Sequence, residues 1–199
     1  ANMDADSLAA AVDMVEGSGG RPRAVIAVDL FSLPADYDAI SGICAAKGMK
    51  LIIDGAQSFG TDTGAGRACG QGDAAATSFY PSKSLGGYGD GGAMFTRDPE
   101  IAAAARTIAN HGFSDGAHTH VGTNSRLDTI QAAILLEKLA IFDDELVARR
   151  KIARRFSDAM ADVVTVPTPP EGSDPCWAYY VIRAENRDAL AAHMAERDV

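Results

Sequence analysis

Ala74-Ala75-Ala76-Thr77-Ser78-Phe79 runs into Tyr80-Pro81-Ser82-Lys83-Ser84-Leu85-Gly86-Gly87-Tyr88-Gly89-Asp90-Gly91, and that into Gly92-Ala93-Met94-Phe95-Thr96. The two flanks are short apolar runs of strand type. The link between them is rich in hydroxyls and glycines and leaves no room for a helical crossover. The second strand is therefore expected to run antiparallel to the first. Two more apolar runs lie upstream, Ala24 to Asp29 and Lys50 to Asp54, and each reads as a buried strand. Between them Asp36 to Lys47 has helical spacing, with Tyr37, Ile40, Ile43 and Cys44 on one side and Gly48 as the stop. Asp6 to Glu16 is an earlier helix, ended by Gly17-Ser18-Gly19-Gly20, and Gly60 to Gly72 is a glycine-rich loop. Strands alternating with helices imply an α/β fold with a mainly parallel sheet.

Downstream, Pro99 to His111 is an alanine-rich helix and Phe113 to Thr123 a polar loop. Leu127 to Phe156 is a long helical region with an apolar stripe (Ile130, Ile134, Leu135, Leu139, Phe142, Leu146), bent near Phe142-Asp143-Asp144. Val166 to Gly172 is a proline-rich linker. Trp177 to Arg183 reads as a strand and Asn186 to Arg197 as a helix, together the opening of a smaller α+β domain. The expected division is a partial large domain over 1–142, and a connecting helix with a partial small domain over 143–199.

Composition narrows the function. The chain has 199 residues, 47% of them hydrophobic, a formal net charge of -9 and a pI of about 4.8. The longest basic run, Arg149-Arg150-Lys151, lies in a helix of mixed charge, which argues against a nucleic-acid or anionic-membrane surface. Cys44, Cys69 and Cys176 are odd in number and form no CxxC, which fits a reducing compartment. No signal peptide and no long apolar run is present, so a cytoplasmic protein is expected. His118-Thr119-His120 has no carboxylate pair or cysteine near it, so no metal is expected. Cys69 has no adjacent base and is not expected to be a nucleophile.

The chemistry concentrates at strand ends. Lys83 follows a strand, and the glycines after it let backbone or ligand approach closely. A phosphate-binding loop would place its glycines before the lysine and a helix directly after it, and neither holds. A lysine amine can form a Schiff base with an aldehyde cofactor. Asp54 ends its apolar run where parallel sheets present ligand-facing residues. It can make a turn with Gly55, or it can hold a protonated pyridine nitrogen. Gln57 can bond a ring oxygen or remain a loop amide. Ser78 can donate to a phosphate or to the backbone. Together these residues are the parts of a pyridoxal 5'-phosphate site.

Three motifs in one order carry a family resemblance: Asp54-Gly55-Ala56-Gln57-Ser58-Phe59-Gly60, Thr77-Ser78-Phe79-Tyr80-Pro81-Ser82-Lys83, and Gly122-Thr123-Asn124-Ser125-Arg126-Leu127-Asp128-Thr129-Ile130-Gln131-Ala132-Ala133. They resemble the DegT/StrS-type sugar aminotransferases, fold type I pyridoxal-phosphate enzymes that aminate keto groups of nucleotide-linked sugars. Val28-Asp29-Leu30-Phe31 and Asn124 to Thr129 look closest to the branch acting on the 3-oxo group of UDP-linked N-acetyl-glucuronic acid, for surface-polysaccharide synthesis. The resemblance implies a role for each residue. Lys83 would be the Schiff-base lysine and proton carrier. Asp54 would hold the pyridine nitrogen, Gln57 the ring hydroxyl and Ser78 the phosphate. Ser82 would touch the nucleotide sugar. In a homodimer with shared active sites, Asn124 would reach the phosphate of the partner's cofactor, and Arg126 the partner's substrate at its diphosphate or its carboxylate. Glutamate would be the amino donor. Asn124 and Arg126 can equally open the long helix as a loop and cap pair.

The chain also departs from the family. Ile53 and Gly55 stand where a glutamate and an alanine are common. The family's N-terminal phosphate-binding helix start, its cofactor-stacking aromatic ring and its later His-Tyr motif do not appear. The chain is therefore expected to be roughly half of such an enzyme, and its ability to hold cofactor alone is in question.

Overall fold

The computed structural model describes residues 2–199. Helix α1 (Ala5–Gly17) starts where the Asp4 carboxylate accepts from the Ser7 amide at 2.8 Å. Strand β1 (Ala24–Val28) leads through a tight turn to α2 (Tyr37–Lys47), which is capped by Asp36 and stopped by Gly48 at φ 62°. Strands β2 (Lys50–Asp54), β3 (Ala74–Ser78) and β4 (Gly92–Phe95) complete one sheet in the order β1-β2-β3-β4. The first three strands are parallel, and β4 is antiparallel to β3. This is the arrangement expected from the short link at Tyr80 to Gly91.

Then follow α3 (Pro99–Ala109), a hairpin of β5 (Phe113–Ser114) and β6 (Ala117–His118), and α4 (Thr129–Ala140). Helix α5 (Phe142–Met160) is separated from α4 at Ile141, close to the expected bend, and α6 (Arg187–Ala195) comes last. The polar loop at 113–123 thus contains a minimal hairpin.

Two expectations are corrected. Trp177 to Arg183 is not a strand. Trp177 sits at φ 49°, and only Arg183 pairs, with Thr165. Among the described residues no strand lies beside the run. Its aromatic residues pack locally instead, Tyr180 lying 5.7 Å from Trp177 and 5.3 Å from Phe156 between ring centroids. The apolar runs are also not buried on both faces within this chain. Val25, Ala27, Leu51, Ile53 and Ala75 pack beneath α1 and α2 with Val12, Ile40 and Cys44. On the opposite face Ile26 is 58% and Met94 44% exposed.

A second core cluster joins Phe79 and Leu85 of the β3–β4 link to Leu135 of α4, Phe142 and Leu146 of α5, and Cys176. Residues from both sides of position 142 therefore share one core. No helix among the described residues is long and apolar enough to cross a membrane.

Candidate active site

Register fixes which residues share the exposed face. Val28, Asp54, Ala76 and Met94 pair in one row across the four strands, so their side chains point the same way. Ser78 lies two residues beyond Ala76 and faces the same side. It pairs with Gly92, which brings no side chain. Strand spacing and rise put the Asp54 and Ser78 Cα atoms roughly 8 Å apart. Between the carboxylate and the hydroxyl Ala76 brings only a methyl group, and beyond Ser78 Gly92 brings no side chain, so neither obstructs this face.

Each polar group is partly committed and partly free. Asp54 Oδ1 accepts from the Ala56 amide at 3.0 Å, which sets the turn after β2. Gln57 Oε1 accepts from the Phe31 amide at 2.7 Å, so the NH2 end of that side chain is the one left for a ligand. Ser78 Oγ accepts from the Tyr80 amide at 3.2 Å and keeps its proton to donate elsewhere. Lys83 closes a turn through its own amide to the Tyr80 carbonyl at 2.9 Å. Its side chain is half-buried, and its amine joins none of the ion pairs among the described residues. Ser82 is exposed beside it.

Asn124 and Arg126 make no bond to this group, though Arg126 shares a groove with Gly92, the partner of Ser78. Asn124 is exposed and bridges backbone to backbone with Asn110. Arg126 lines a groove of about 600 Å³ with Met94, Ile108 and Leu127, between β4 and α3. No hydrogen bond or ion pair among the described residues ties either one to Asp54 or Lys83.

The sequence reading passed over two supports. Asp29 is fully buried. Its Oδ2 accepts from Tyr37 Oη and from Ser58 Oγ, each at 2.5 Å, and its Oδ1 accepts from the Ala35 amide at 3.0 Å. Burial raises its pKa above the usual carboxylate range, against the opposing pull of those hydrogen bonds. Asp29 thereby ties the β1 exit to Ser58, next to Gln57. The signal was available: like Asp54, Asp29 is the acid that ends an apolar strand run. The second support is Gln131, inside the third motif. Its Oε1 accepts from the Tyr88 amide at 2.8 Å. A Cβ at Gly87 or Gly89 would come within 2.8 Å or 3.1 Å of the Gln131 amide, so those glycines make room for it.

Gly55 also finds its reason here. A Cβ at that position would lie 2.5 Å from Cys69 Sγ. The cysteine fills the space that an alanine methyl would take. The Cys69 thiol is pushed up to about 12, chiefly by burial, so it is a packing group and not a thiolate nucleophile. No cluster of histidine, cysteine, aspartate and glutamate among the described residues could hold a metal ion.

With this geometry in place, comparison with known proteins is direct. The model of the DegT/DnrJ/EryC1/StrS aminotransferase family matches residues 1–199. The chain belongs to this family. It is 43% identical over 196 residues to the UDP-2-acetamido-2-deoxy-3-oxo-D-glucuronate aminotransferase of Pseudomonas aeruginosa, an overlap of 97% of this chain and 53% of that protein. The crystal structure of a DegT DnrJ EryC1 StrS aminotransferase from Brucella abortus matches with a TM-score of 0.97 at 47% identity, over 100% of this chain and 54% of that one. S. venezuelae DesV, solved in complex with a ketimine intermediate, matches with a TM-score of 0.91 at 35% identity, over 98% and 52%. The fold is that of the fold type I aminotransferases. The chain spans about half the length of the relatives it matches.

Proposed function

We propose that the protein is a pyridoxal-phosphate-dependent aminotransferase that moves an amino group from glutamate to a keto group of a nucleotide-linked sugar. The observation that supports this most is the set of groups at one sheet edge. Asp54 and Ser78 share one sheet face over Ala76, Gln57 follows Asp54 with its NH2 end uncommitted, and Lys83 follows Ser78 with an amine that joins none of the described ion pairs. That set fits a planar pyridine aldehyde with a phosphate arm. The cofactor supplies an electron sink for the negative charge left when a proton leaves the amine-bearing carbon. Lys83 Nζ would hold the cofactor covalently and, once the incoming amine had displaced it, the freed Nζ would carry the proton between the two carbons. The Asp54 carboxylate would accept from the ring N–H and keep that nitrogen protonated. The Gln57 NH2 donates to the ring oxygen, and the Ser78 hydroxyl to the phosphate.

No hydrogen bond or ion pair among the described residues ties Asn124 or Arg126 to Asp54 or Lys83, although the groove of Arg126 reaches Gly92. In this reading they serve the site of a second copy, with Asn124 on its cofactor phosphate and Arg126 on its sugar nucleotide. A two-fold dimer makes both contacts twice. Ser82, exposed beside Lys83, contacts the nucleotide sugar. Residues 1–142 belong to the cofactor-binding large domain, and 143–199 to the connecting helix and small domain. The 3-oxo sugar named for the Pseudomonas relative is the first substrate to try, within cytoplasmic synthesis of a surface glycan.

The test uses the full-length protein with that 3-oxo sugar nucleotide and glutamate, and follows 2-oxoglutarate release. Lys83→Ala should lower turnover by about 10²–10⁴-fold. Near-normal turnover would refute the assignment. A second reading is favoured by the exposed apolar face beside Asp54: the 199-residue chain alone dimerises without holding cofactor. Visible colour after dialysis of the isolated chain with pyridoxal phosphate would exclude it.

A further inference from the structure

The loop that carries Lys83 has no regular structure of its own, yet much of it is buried. Ser84 and Leu85 are each 4% exposed, and Gly86 and Gly87 are buried. A buried loop must find partners for its carbonyls, because a buried carbonyl left unpaired loses its bond to water with nothing in return. Within the loop the Gly87 amide returns to the Phe79 carbonyl at 2.7 Å, and the Phe79 amide donates to the Gly91 carbonyl at 2.7 Å. The carbonyls of Ser84 and Gly86, one and three residues after Lys83, are met by cations from distant helices. Lys138 Nζ of α4 donates to the Gly86 carbonyl at 2.5 Å. Arg149 Nη2 of α5 donates to the Ser84 carbonyl at 3.1 Å. Ser84 Oγ is in turn spent on the Phe59 carbonyl at 2.7 Å.

The glycines make this grip possible. A Cβ at Gly86 would fall 2.4 Å from the Pro81 carbonyl oxygen, so the chain folds tightly back on the turn that holds Lys83. Charged donors to carbonyls form stronger bonds than neutral ones. Neither cation can be read as a mere surface charge. Arg149 has an i,i+4 partner in Glu145, but at 3.8 Å that pairing is looser than its bond to the loop. Lys138 has no carboxylate partner among the described ion pairs.

We propose that Lys138 and Arg149 are positioning residues for Lys83. By donating to the buried carbonyls of Gly86 and Ser84, they fix the backbone from which the reactive amine extends. This rests on the function proposed above for Lys83. The physical basis is that reacting groups must be held close to their productive geometry, and small misplacements are costly.

The experiment uses the full-length protein as Lys138→Met, Lys138→Arg and Arg149→Met. Hydrogen exchange over residues 84–89 is measured without cofactor, and the visible absorption band and steady-state constants with it. Both methionine variants should show faster exchange over 84–89 and an altered band. Their kcat should drop roughly 10- to 100-fold while KM for the sugar nucleotide changes much less. Lys138→Arg, which keeps the charge and the donor, should recover most of the exchange protection and of kcat. Unchanged exchange in the methionine variants would overturn the proposal. So would faster exchange with the band and kcat at wild-type values, because the grip would then be structural only. If Lys138→Met does not fold, Arg149→Met decides by the same readings. A wild-type protein that binds no pyridoxal phosphate would count against the proposed function, and with it against any positioning role, whereas protected exchange there would leave the grip itself standing.

Discussion

Asp54 and Lys83 leave the same edge of the sheet, but into segments held in different ways. The turn after Asp54 is secured mostly from the neighbouring β1 exit, with one contact from far along the chain, the Cys176 thiol on the Gln57 carbonyl at 3.3 Å. Asp29 leaves β1 one strand away, and the Phe31 amide from the same exit holds Gln57. These supports are short side chains and backbone groups packed on the covered sheet, most of them neutral. The loop after Lys83 is secured from far along the chain, by Gln131, Lys138 and Arg149. The difference teaches where rigidity comes from. The cofactor-ring side of the site borrows it from adjacent strands. The lysine side adds to its own turn bonds three contacts from the two helices α4 and α5.

Damage to the Asp54 side should therefore appear first as lost stability. The largest such effect is expected at Asp29. Asp29→Ala strands the Tyr37 and Ser58 hydroxyls in the core and should cost about 2–4 kcal/mol in urea unfolding. A cost near zero would break the contrast, because the turn would then be held by something else. The pH dependence has a definite sign. Burial raises the folded-state pKa of Asp29, so its contribution to stability is complete below the unfolded carboxylate value and is lost as pH rises through the folded one. Asp29→Asn should accordingly flatten the fall in unfolding free energy over that window. An unchanged slope would assign the fall to other groups.

Gly55→Ala comes next. Its methyl meets Cys69 Sγ at 2.5 Å, and overpacking of this kind costs about 1–3 kcal/mol. Cys69→Ala in the same chain should recover much of the loss, since it removes the atom in the way. A double variant no better than Gly55→Ala would show that the strain lies in the backbone. The smallest effect is expected at Ser32, held at φ 68°. Ser32→Gly relieves a left-handed conformation but gives up the bond from the Tyr179 amide at 3.3 Å, so the net change should stay within about 1 kcal/mol. A larger loss would mean that the Tyr179 bond matters more to the β1 exit than its length suggests.

Much of this could be read along the chain. The four strands and their order of direction follow from apolar runs, from one helix-length spacer between β1 and β2, and from a link too short for a crossover. Gly48 marks the end of α2 to the residue, while Asp36, read as its first residue, is its cap. Trp177 to Arg183 failed for a physical reason, since an apolar aromatic run becomes a strand only if another strand lies beside it. Asp54, Gln57, Ser78 and Lys83 stood out because a strand end is a local pattern. Asp29 has the same pattern but did not stand out, because its burial is created by Tyr37, Ala35 and Ser58 closing over it.

What the sequence determined by itself is the set of parts: the elements, the strand ends and the reactive side chains, all of them fixed by short-range periodicity and local chemistry. What only the tertiary structure decided is which end of Gln57 is free, why Gly55 is a glycine, and what holds the Lys83 loop. Each of these depends on an atom brought close from another element, such as Phe31 N, Cys69 Sγ or Lys138 Nζ. No local pattern encodes such a distance, because it exists only once the sheet and helices have packed.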